Sequence, residues 1–229
     1  MSLASAARIV YGETLQIRSR WLGEEEGYFM GHDFGLSDKT EAIIFDCDGT
    51  LADTMPLHFV AWTTAMNRHG IEFSEERFYT LAGTPPFRII EILATEQGVT
   101  LDAEAAAAEK ESLYLTSLAE VQPIDPVVQL ARDYHGRLPL AVASGSSRDV
   151  VTRTLTHLNV IELFTCVVTS EDTQRHKPDP DVFLKAAELL GIPPAGCLVL
   201  EDADGGIVAA QRAGMGYFDV RTIRPGTPS

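Results

Sequence analysis

The sequence predicts an α/β fold in which a doubly wound parallel sheet carries an inserted domain of helices. Five short apolar runs of strand length recur between residues 42 and 220, and helical segments separate the later runs. Such alternation is typical of parallel sheets. Between the first and second runs lie about 70 residues with helix signals and no strand signal. This stretch predicts a helical insertion.

The composition permits a sizeable core and excludes one class of partner. The chain has 229 residues, of which 45% are hydrophobic and 22% are charged, unlike a disordered chain. At roughly 150 residues per domain, this length allows one large domain or two small ones. The formal net charge of -15 argues against nucleic-acid binding, which needs the opposite sign.

Several features predict a cytoplasmic protein. The longest apolar runs have four or five residues, far short of the roughly 18 that span a bilayer. The first 16 residues lack a basic leader and an apolar stretch. Cys47, Cys166 and Cys197 have no CxxC spacing and lie in apolar runs, as reduced core thiols do. Residues 1–41 show no sustained period, and we treat them as an N-terminal extension of unknown role.

The five apolar runs are the candidate strands. They cover residues 42–45, 138–144, 165–169, 197–201 and 216–220. Each is short and nearly continuous in apolar side chains, the pattern of a strand covered on both faces. We therefore expect five buried strands.

Helix signals fill the remaining segments. Asp and Pro at the start and Gly at the end mark core helices over residues 125–136 and 179–191. A third helix starts at Ser146 or Ser147 and runs to about Leu158, and a fourth covers residues 205–213 and is followed by Gly214. In the insertion, the same signals start helices near Pro56, Ser74, Pro86 and Asp102, and we expect the last to continue to Glu120. We predict a helical cap at residues 54–122 and a core formed by residues 42–53 and 123–229.

Polar side chains that can carry chemistry follow the predicted strands. They are Asp46 and Asp48 in DCDGT, Ser144 in ASGSS, Lys177 in HKPDP, and Glu201 with Asp202 in EDADGG. Ligands of doubly wound sheets bind at the carboxyl ends of strands. Two carboxyl groups that stand two residues apart at a strand end lie close together. Ionising both is costly unless a cation is bound between them or one keeps its proton. Several oxygen ligands suit a hard ion such as Mg²⁺.

Each motif alone also has a purely structural explanation. Asp-x-Asp-Gly commonly forms an Asx turn, and a serine commonly caps a helix. A single lysine is usually a solvated surface residue, and acidic residues often stand at a helix N-terminus. The joint occurrence of the motifs in order favours a site.

Together the four motifs resemble those of the haloacid dehalogenase superfamily, over roughly residues 42–222. The insertion lies between the first and second motifs, as in the helical-cap subgroup of fructose-1-phosphate phosphatases and β-phosphoglucomutases. The segments LADTMPLHFVAW and LEDADGGIVAAQRAGMGYFDVR are similar to that subgroup. The resemblance implies a Rossmann-like core and phosphoryl transfer.

The resemblance also implies roles for the two aspartates of the first motif. Asp46 is expected to attack phosphorus and form an aspartyl-phosphate, which divides one difficult displacement into two steps. Asp48 is expected to protonate the leaving oxygen and then deprotonate the attacking water. We expect its anionic neighbours to raise its pKa.

The other motif residues are expected to bind metal and phosphate. The implied Mg²⁺ ligands are Asp46, the backbone carbonyl of Asp48, Glu201 and Asp202. Lys177 is expected to supply positive charge to the nucleophile and the transferring group. Ser144 with the amides of Gly145 and Ser146 is expected to cradle the phosphoryl oxygens.

The cap offers weaker candidates for substrate contact. We expect His58, Arg88 and Lys110 to bind the sugar or its phosphate. In β-phosphoglucomutase an arginine stands three residues after the glycine of this loop, whereas here position 86 is proline and the arginine is at 88. This departure favours a phosphatase over a mutase.

The sequence therefore predicts a Mg²⁺-dependent phosphatase of a small phosphorylated metabolite, and we expect that metabolite to be a sugar phosphate such as fructose-1-phosphate. The main alternative is a β-phosphoglucomutase-type phosphohexomutase, which shares the aspartyl-phosphate. A dehalogenase is disfavoured by Asp48, and a non-catalytic binding module by the presence of all four motifs. We expect a monomer or weak homodimer without a nucleic-acid or membrane partner.

Overall fold

The computed structural model describes residues 32–223, and its central feature is a five-stranded parallel sheet. The strands are β1 (Ala42–Phe45), β2 (Leu140–Ala143), β3 (Cys166–Val168), β4 (Cys197–Glu201) and β5 (Gly216–Asp219). Their order is β3-β2-β1-β4-β5, and each neighbouring pair is parallel. The doubly wound α/β fold predicted from the sequence is confirmed.

The predicted helices are found within the described residues. Those of the insertion are α1 (Met55–Arg68), α2 (Glu75–Thr80), α3 (Pro86–Gln97) and α4 (Ala103–Leu115), and those of the core are α5 (Asp125–Tyr134), α6 (Arg148–His157), α7 (Asp181–Leu190) and α8 (Asp204–Arg212). Ser74 and Asp102 each accept a hydrogen bond from a first-turn amide, as helix-capping side chains do. Gly98 and Gly191 end α3 and α7 in the left-handed conformation.

The last helix of the insertion ends earlier than the sequence predicts. Helix α4 stops at Leu115, and a single 3₁₀ turn follows at Leu118–Glu120. The hydroxyl of Thr116 donates to the carbonyl of Leu113, and the amide of Ser117 donates to Tyr114 three residues back. These contacts tighten the final turn and end the α-helical ladder before Glu120.

The prediction of five buried strands is wrong at the edges of the sheet. In β5, Gly216 is exposed and Tyr217 retains 45% of its surface. Within residues 32–223, strands β3 and β5 each pair with one neighbour only, and no other described strand covers their outer sides.

Helices cover both faces of the sheet. On one face, α5 and α6 pack on side chains that include Ile43, Phe45 and Leu140. On the other, α7 and α8 pack on the intervening positions, such as Ile44 and Val199. Successive strand side chains point to opposite faces, so the continuous apolar runs follow from this double cover.

The helices α1 to α4 have a hydrophobic cluster of their own, which includes Trp62, Phe73, Ile90 and Leu93. This separate core supports the proposed division between a cap at residues 54–122 and the sheet domain. No helix in the described part of the chain combines the length and apolarity that a membrane crossing requires. Residues 1–31 of the proposed N-terminal extension lie outside the described residues.

Candidate active site

The sheet order gathers the predicted motif residues at the carboxyl ends of the central strands. Strand β1 lies between β2 and β4, and the chain changes side of β1 when it passes from β3 to β4. Asp46 directly follows β1, Ser144 directly follows β2, and Glu201 ends β4. The amide of Asp46 donates to the carbonyl of Leu200 at 2.9 Å. The site therefore lies at the switch point where such sheets bind ligands.

Lys177 joins two of these carboxylates. Its Nζ lies 2.7 Å from Oδ1 of Asp46, 2.8 Å from Oε2 of Glu201 and 3.2 Å from the carbonyl oxygen of Ala143. All three charged side chains are buried. Burial lowers the pKa of Lys177, but the charges of Asp46 and Glu201 outweigh it and raise the pKa above its usual value. Lys177 is therefore held as a cation.

Asp46 has a pKa that is unusual for an aspartate. Burial, followed by the charge of Glu201, raises its pKa to about 7 against the opposing effect of Lys177. Ionising this carboxyl at neutral pH is therefore costly, and a cation beside it would lower the cost.

An acidic cluster at the carboxyl ends of these strands can hold a metal ion. Asp46, Glu201 and Asp202 each offer a carboxylate oxygen, and these oxygens lie within 4.8 Å of one another. Two glycines make room for the cluster: a Cβ on Gly49 would lie 2.0 Å from Oδ2 of Asp202, and one on Gly206 would lie 2.1 Å from the carboxyl carbon of Glu201. A set of carboxylate oxygens with this clearance fits a hard divalent ion such as Mg²⁺.

Asp48 accepts three hydrogen bonds. Its Oδ1 accepts from the hydroxyl of Thr54 at 2.8 Å and contacts Nε2 of His58 at 3.0 Å, and its Oδ2 accepts from the hydroxyl of Ser146 at 2.6 Å. Burial raises the pKa of Asp48, but His58 and the hydroxyl donors outweigh burial and lower it. The pKa shift is opposite to the one expected from the sequence, because these three contacts favour the ionised carboxylate.

His58 and Lys110 form a buried chain that ends on Asp48. Nζ of Lys110 lies 2.9 Å from Nδ1 of His58, whose ring stacks on Tyr114 at a centroid distance of 3.9 Å. Burial and then the charge of Lys110 lower the pKa of His58, and burial lowers that of Lys110 to about 8. A neutral His58 protonated at Nε2 satisfies both contacts.

The structure separates the three cap residues that were expected to contact substrate. His58 and Lys110 line the cavity over the site, but their polar atoms bond to Asp48 and to each other. Arg88 is not among the cavity residues; it lies on the outer side of α3 and pairs with Glu91 at 2.7 Å. Ile89 takes the inward position on this helix, so Arg88 does not line the cavity in this structure.

The predicted phosphate loop is internally bonded. Ser144 is buried, and its hydroxyl accepts from the amide of Ser146 at 3.1 Å. A Cβ on Gly145 would lie 2.4 Å from the carbonyl oxygen of Gly83, so the cap loop rests directly on the phosphate loop. Glycine at position 145 permits this approach of two backbones.

A small cavity of about 60 Å³ lies between cap and core. Its lining residues are Asp46, Asp48, Met55, His58, Trp62, Phe78, Leu81, Ala82, Gly83, Thr84, Pro86, Ile89, Lys110, Ser144, Gly145, Ser146, Glu201, Asp202 and Ala203. A space of this size holds a few water molecules and is too small for a hexose phosphate. The cap must therefore move away from the core to admit such a molecule.

Sequence reasoning missed two hydroxyl contacts at Asp48. Thr54 is the N-cap residue of α1 but makes no capping hydrogen bond, because its hydroxyl donates to Asp48. Ser146 was expected to act through its amide, whereas its side chain also reaches Asp48. A threonine before a helix and a serine in a loop have common local explanations, so no sequence signal distinguished these roles.

Known proteins resemble this chain in sequence and fold. A family model described as haloacid dehalogenase-like hydrolase matches residues 43–220. The fructose-1-phosphate phosphatase YqaB of Escherichia coli K12 is 37% identical over 189 residues, which cover 82% of this chain and 100% of the relative. The β-phosphoglucomutase of Bacillus subtilis 168 is 31% identical over 76% of this chain and 80% of the relative. The crystal structure of CbbY from Rhodobacter sphaeroides with phosphate matches 78% of this chain and 84% of its own, with 26% identity and a TM-score of 0.70.

Proposed function

Because this chain belongs to the haloacid dehalogenase-like hydrolase family, we propose that it is a Mg²⁺-dependent phosphatase of a small sugar phosphate. The observation that carries the proposal is the buried contact of Lys177 with Asp46 and Glu201 beside the carboxylate of Asp202. This cluster combines a proposed nucleophile, a fixed cation and an acidic metal site at one cavity.

Asp46 is the proposed nucleophile. Lys177 bonds to its Oδ1, and the second oxygen, Oδ2, attacks phosphorus while the bond from phosphorus to the sugar oxygen breaks. Water then attacks the aspartyl-phosphate and releases inorganic phosphate, which restores Asp46. Lys177 stabilises negative charge on the transferring group throughout.

The acidic cluster is the proposed Mg²⁺ site. Asp46 and Asp202, together with Glu201 and the backbone carbonyl of Asp48, would hold the ion. When bound, Mg²⁺ neutralises charge between the nucleophile and the phosphate.

Asp48 is the proposed acid and base. Thr54, His58 and Ser146 fix its orientation and favour its ionised form, which suits removal of a proton from water. An approaching phosphate dianion raises the pKa of a nearby carboxyl. Asp48 can then carry the proton that the leaving sugar oxygen needs.

Two observations favour a sugar-phosphate phosphatase over a mutase. The fructose-1-phosphate phosphatase of Escherichia coli is 37% identical, while the β-phosphoglucomutase of Bacillus subtilis is 31% identical. In addition, Pro86 lines the cavity while Arg88 stays outside it. We propose fructose-1-phosphate as the first substrate to assay, and the phosphohexomutase as the alternative.

The remaining proposals follow from charge and cysteine state. Cys47, Cys166 and Cys197 are free thiols, which suits a reducing compartment such as the cytoplasm. The net charge of -15 disfavours nucleic acid as a partner. We propose a cytoplasmic monomer or weak homodimer that acts on a small metabolite.

A panel of sugar phosphates with phosphate release as the readout tests the function. We expect Mg²⁺-dependent hydrolysis that chelation abolishes, and a fall of at least about 1000-fold in Asp46→Asn because the nucleophile is lost. Asp149→Asn is the matched control, since Asp149 pairs with Arg153 on the exposed surface. Equal rates for wild type and Asp46→Asn, or a rate unaffected by chelation, would contradict the mechanism.

The mutase alternative needs a separate assay. Coupled detection of glucose-6-phosphate from β-glucose-1-phosphate measures transfer back to a sugar rather than to water. We expect free phosphate as the product. Formation of glucose-6-phosphate in excess of phosphate would assign the protein to the mutases.

A further inference from the structure

The cap wall of the cavity is mainly apolar. Its cap-derived apolar residues are Met55, Trp62, Phe78, Leu81, Pro86 and Ile89. Among the described residues that line this wall, Lys110 is the one with a cationic side chain. Lys110 is buried, with its Nζ 2.9 Å from Nδ1 of His58 and 5.0 Å from the centre of the Trp62 ring. Its position is therefore fixed by contacts within the cap.

The cavity already contains an excess of negative charge. Four carboxylates line it, those of Asp46, Asp48, Glu201 and Asp202. Lys110 on the cap side and Lys177 behind Asp46 oppose them, so two negative charges remain. A single divalent cation offsets these two charges, and one phosphoryl group then brings its own negative charge to Lys177 and the metal.

Beyond Lys110, the described residues that line the cavity supply no lysine or arginine to a second phosphate on the cap side. Arg88 of α3 lies outside the cavity in a pair with Glu91. An unpaired charge beside apolar surface is unfavourable unless water continues to solvate it. The cap must move away to admit a sugar phosphate, and when it closes again the described residues of this wall offer a second phosphate no further lysine or arginine in place of the displaced water.

We propose that this site requires an uncharged leaving group, so that sugar monophosphates are substrates and sugar bisphosphates are rejected at the cap wall. The inference rests on the phosphatase function proposed above and specifies its substrate class. The selectivity arises from the cap, because the core motifs bind the transferring phosphoryl group in the same way in both substrates.

Matched pairs of substrates measure the selectivity in the wild-type protein with Mg²⁺. The pairs are fructose-1-phosphate with fructose-1,6-bisphosphate, and glucose-1-phosphate with glucose-1,6-bisphosphate, with phosphate release as the readout. We expect kcat/KM to be at least about 100-fold lower for the bisphosphate of a pair whose monophosphate is hydrolysed, because the second phosphate adds negative charge to a site that already has an excess of it.

Variants at Thr84 separate charge from size. Thr84 is a partly exposed cap residue that lines the cavity. Thr84→Lys adds a cation to the wall, and Thr84→Met adds a neutral side chain of similar length. We expect Thr84→Lys to narrow the ratio between monophosphate and bisphosphate at least about tenfold relative to Thr84→Met. Monophosphate hydrolysis by both variants shows that they are folded.

The outcomes distinguish this inference from the proposed function. If wild type hydrolyses a monophosphate and its bisphosphate partner with kcat/KM values less than about 100-fold apart, the charge selection is wrong and the phosphatase stands. Equal ratios in the two folded Thr84 variants would also overturn it, since size alone would then explain the selectivity. No hydrolysis of any monophosphate would overturn the proposed function itself. The wild-type comparison decides the matter even if a variant fails to fold.

Discussion

Replacing Gly49 with alanine tests whether Asp202 belongs to the metal site. Gly49 has a φ of +86°, and a Cβ added there would lie 2.0 Å from Oδ2 of Asp202. Ordinary contact begins at 3.4 Å, so the carboxylate would have to move by about 1.4 Å, the difference between the two distances. The substitution therefore displaces a proposed ligand without changing its chemistry.

Two effects of Gly49→Ala have to be separated. An alanine at positive φ costs about 1–2 kcal/mol of folding free energy wherever it occurs. Gly214 provides the matched control, because its φ is +73° and, apart from its chain neighbours, no described residue has an atom within 4 Å of its added Cβ. We expect both alanine variants to lose about 1–2 kcal/mol of stability. Displacement of a reacting or ligating group by about 1 Å can cost about 100-fold in rate, and we expect this loss for Gly49→Ala alone.

The assay combines three measurements on wild type and both variants. Chemical denaturation in the presence of chelator gives the free energy of unfolding, calorimetric titration gives the Mg²⁺ affinity, and phosphate release gives kcat/KM. We expect the Mg²⁺ affinity to fall at least about tenfold in Gly49→Ala and to stay unchanged in Gly214→Ala. A Gly49→Ala protein that binds Mg²⁺ as tightly as wild type would refute the placement of Asp202 among the ligands.

Three further predictions concern the charged groups of the site. Burial and Glu201 raise the pKa of Asp46 to about 7, so protons compete with Mg²⁺ below that pH. We therefore expect the Mg²⁺ affinity to rise about tenfold from pH 6 to pH 8. Equal Mg²⁺ affinities in titrations at the two pH values would contradict this prediction. Lys177→Met leaves Asp46 and Glu201 without their buried partner, so we expect a loss of about 3–5 kcal/mol in denaturation experiments. The control variant Lys185→Met removes an exposed pair with Glu188 and should change the free energy of unfolding by no more than about 1 kcal/mol. Similar losses of stability in the two variants would show that the buried contacts of Lys177 do not stabilise the fold. Lys110→Met removes the contact that orients His58 toward Asp48, so kcat should fall about 10-fold or more while KM changes less. The control variant Arg88→Ala should leave kcat and KM unchanged. An unaltered kcat in Lys110→Met would exclude a positioning role for Lys110.

The core of the site could be predicted because its residues follow strands. Asp46, Ser144 and Glu201 lie at the ends of apolar runs, and in a parallel sheet the carboxyl ends of neighbouring strands lie side by side. Helix ends were equally legible where a side chain caps them, as at Ser74 and Asp102. Local chemistry decides these features, so they can be read along the chain.

The contacts of Asp48 and the cap could not be predicted in the same way. Ser146 reaches Asp48 from 98 positions away, and Lys110 reaches His58 from 52 positions away. The direction of the pKa shift at Asp48 depends on the count of donors around it, which no local pattern contains. The exposure of Tyr217 similarly depends on the edge position of β5.

The sequence by itself determined the strand and helix pattern, the four motifs in order and the acidic charge, because periodicity, capping and spacing are local properties. The tertiary structure alone decided how the charges are paired: Lys177 bridges Asp46 and Glu201, the hydroxyls of Thr54 and Ser146 bond to Asp48, and Arg88 remains outside the cavity. Pairing depends on which distant side chains share a buried space, and burial sets both their pKa values and the charge that the cavity can accept.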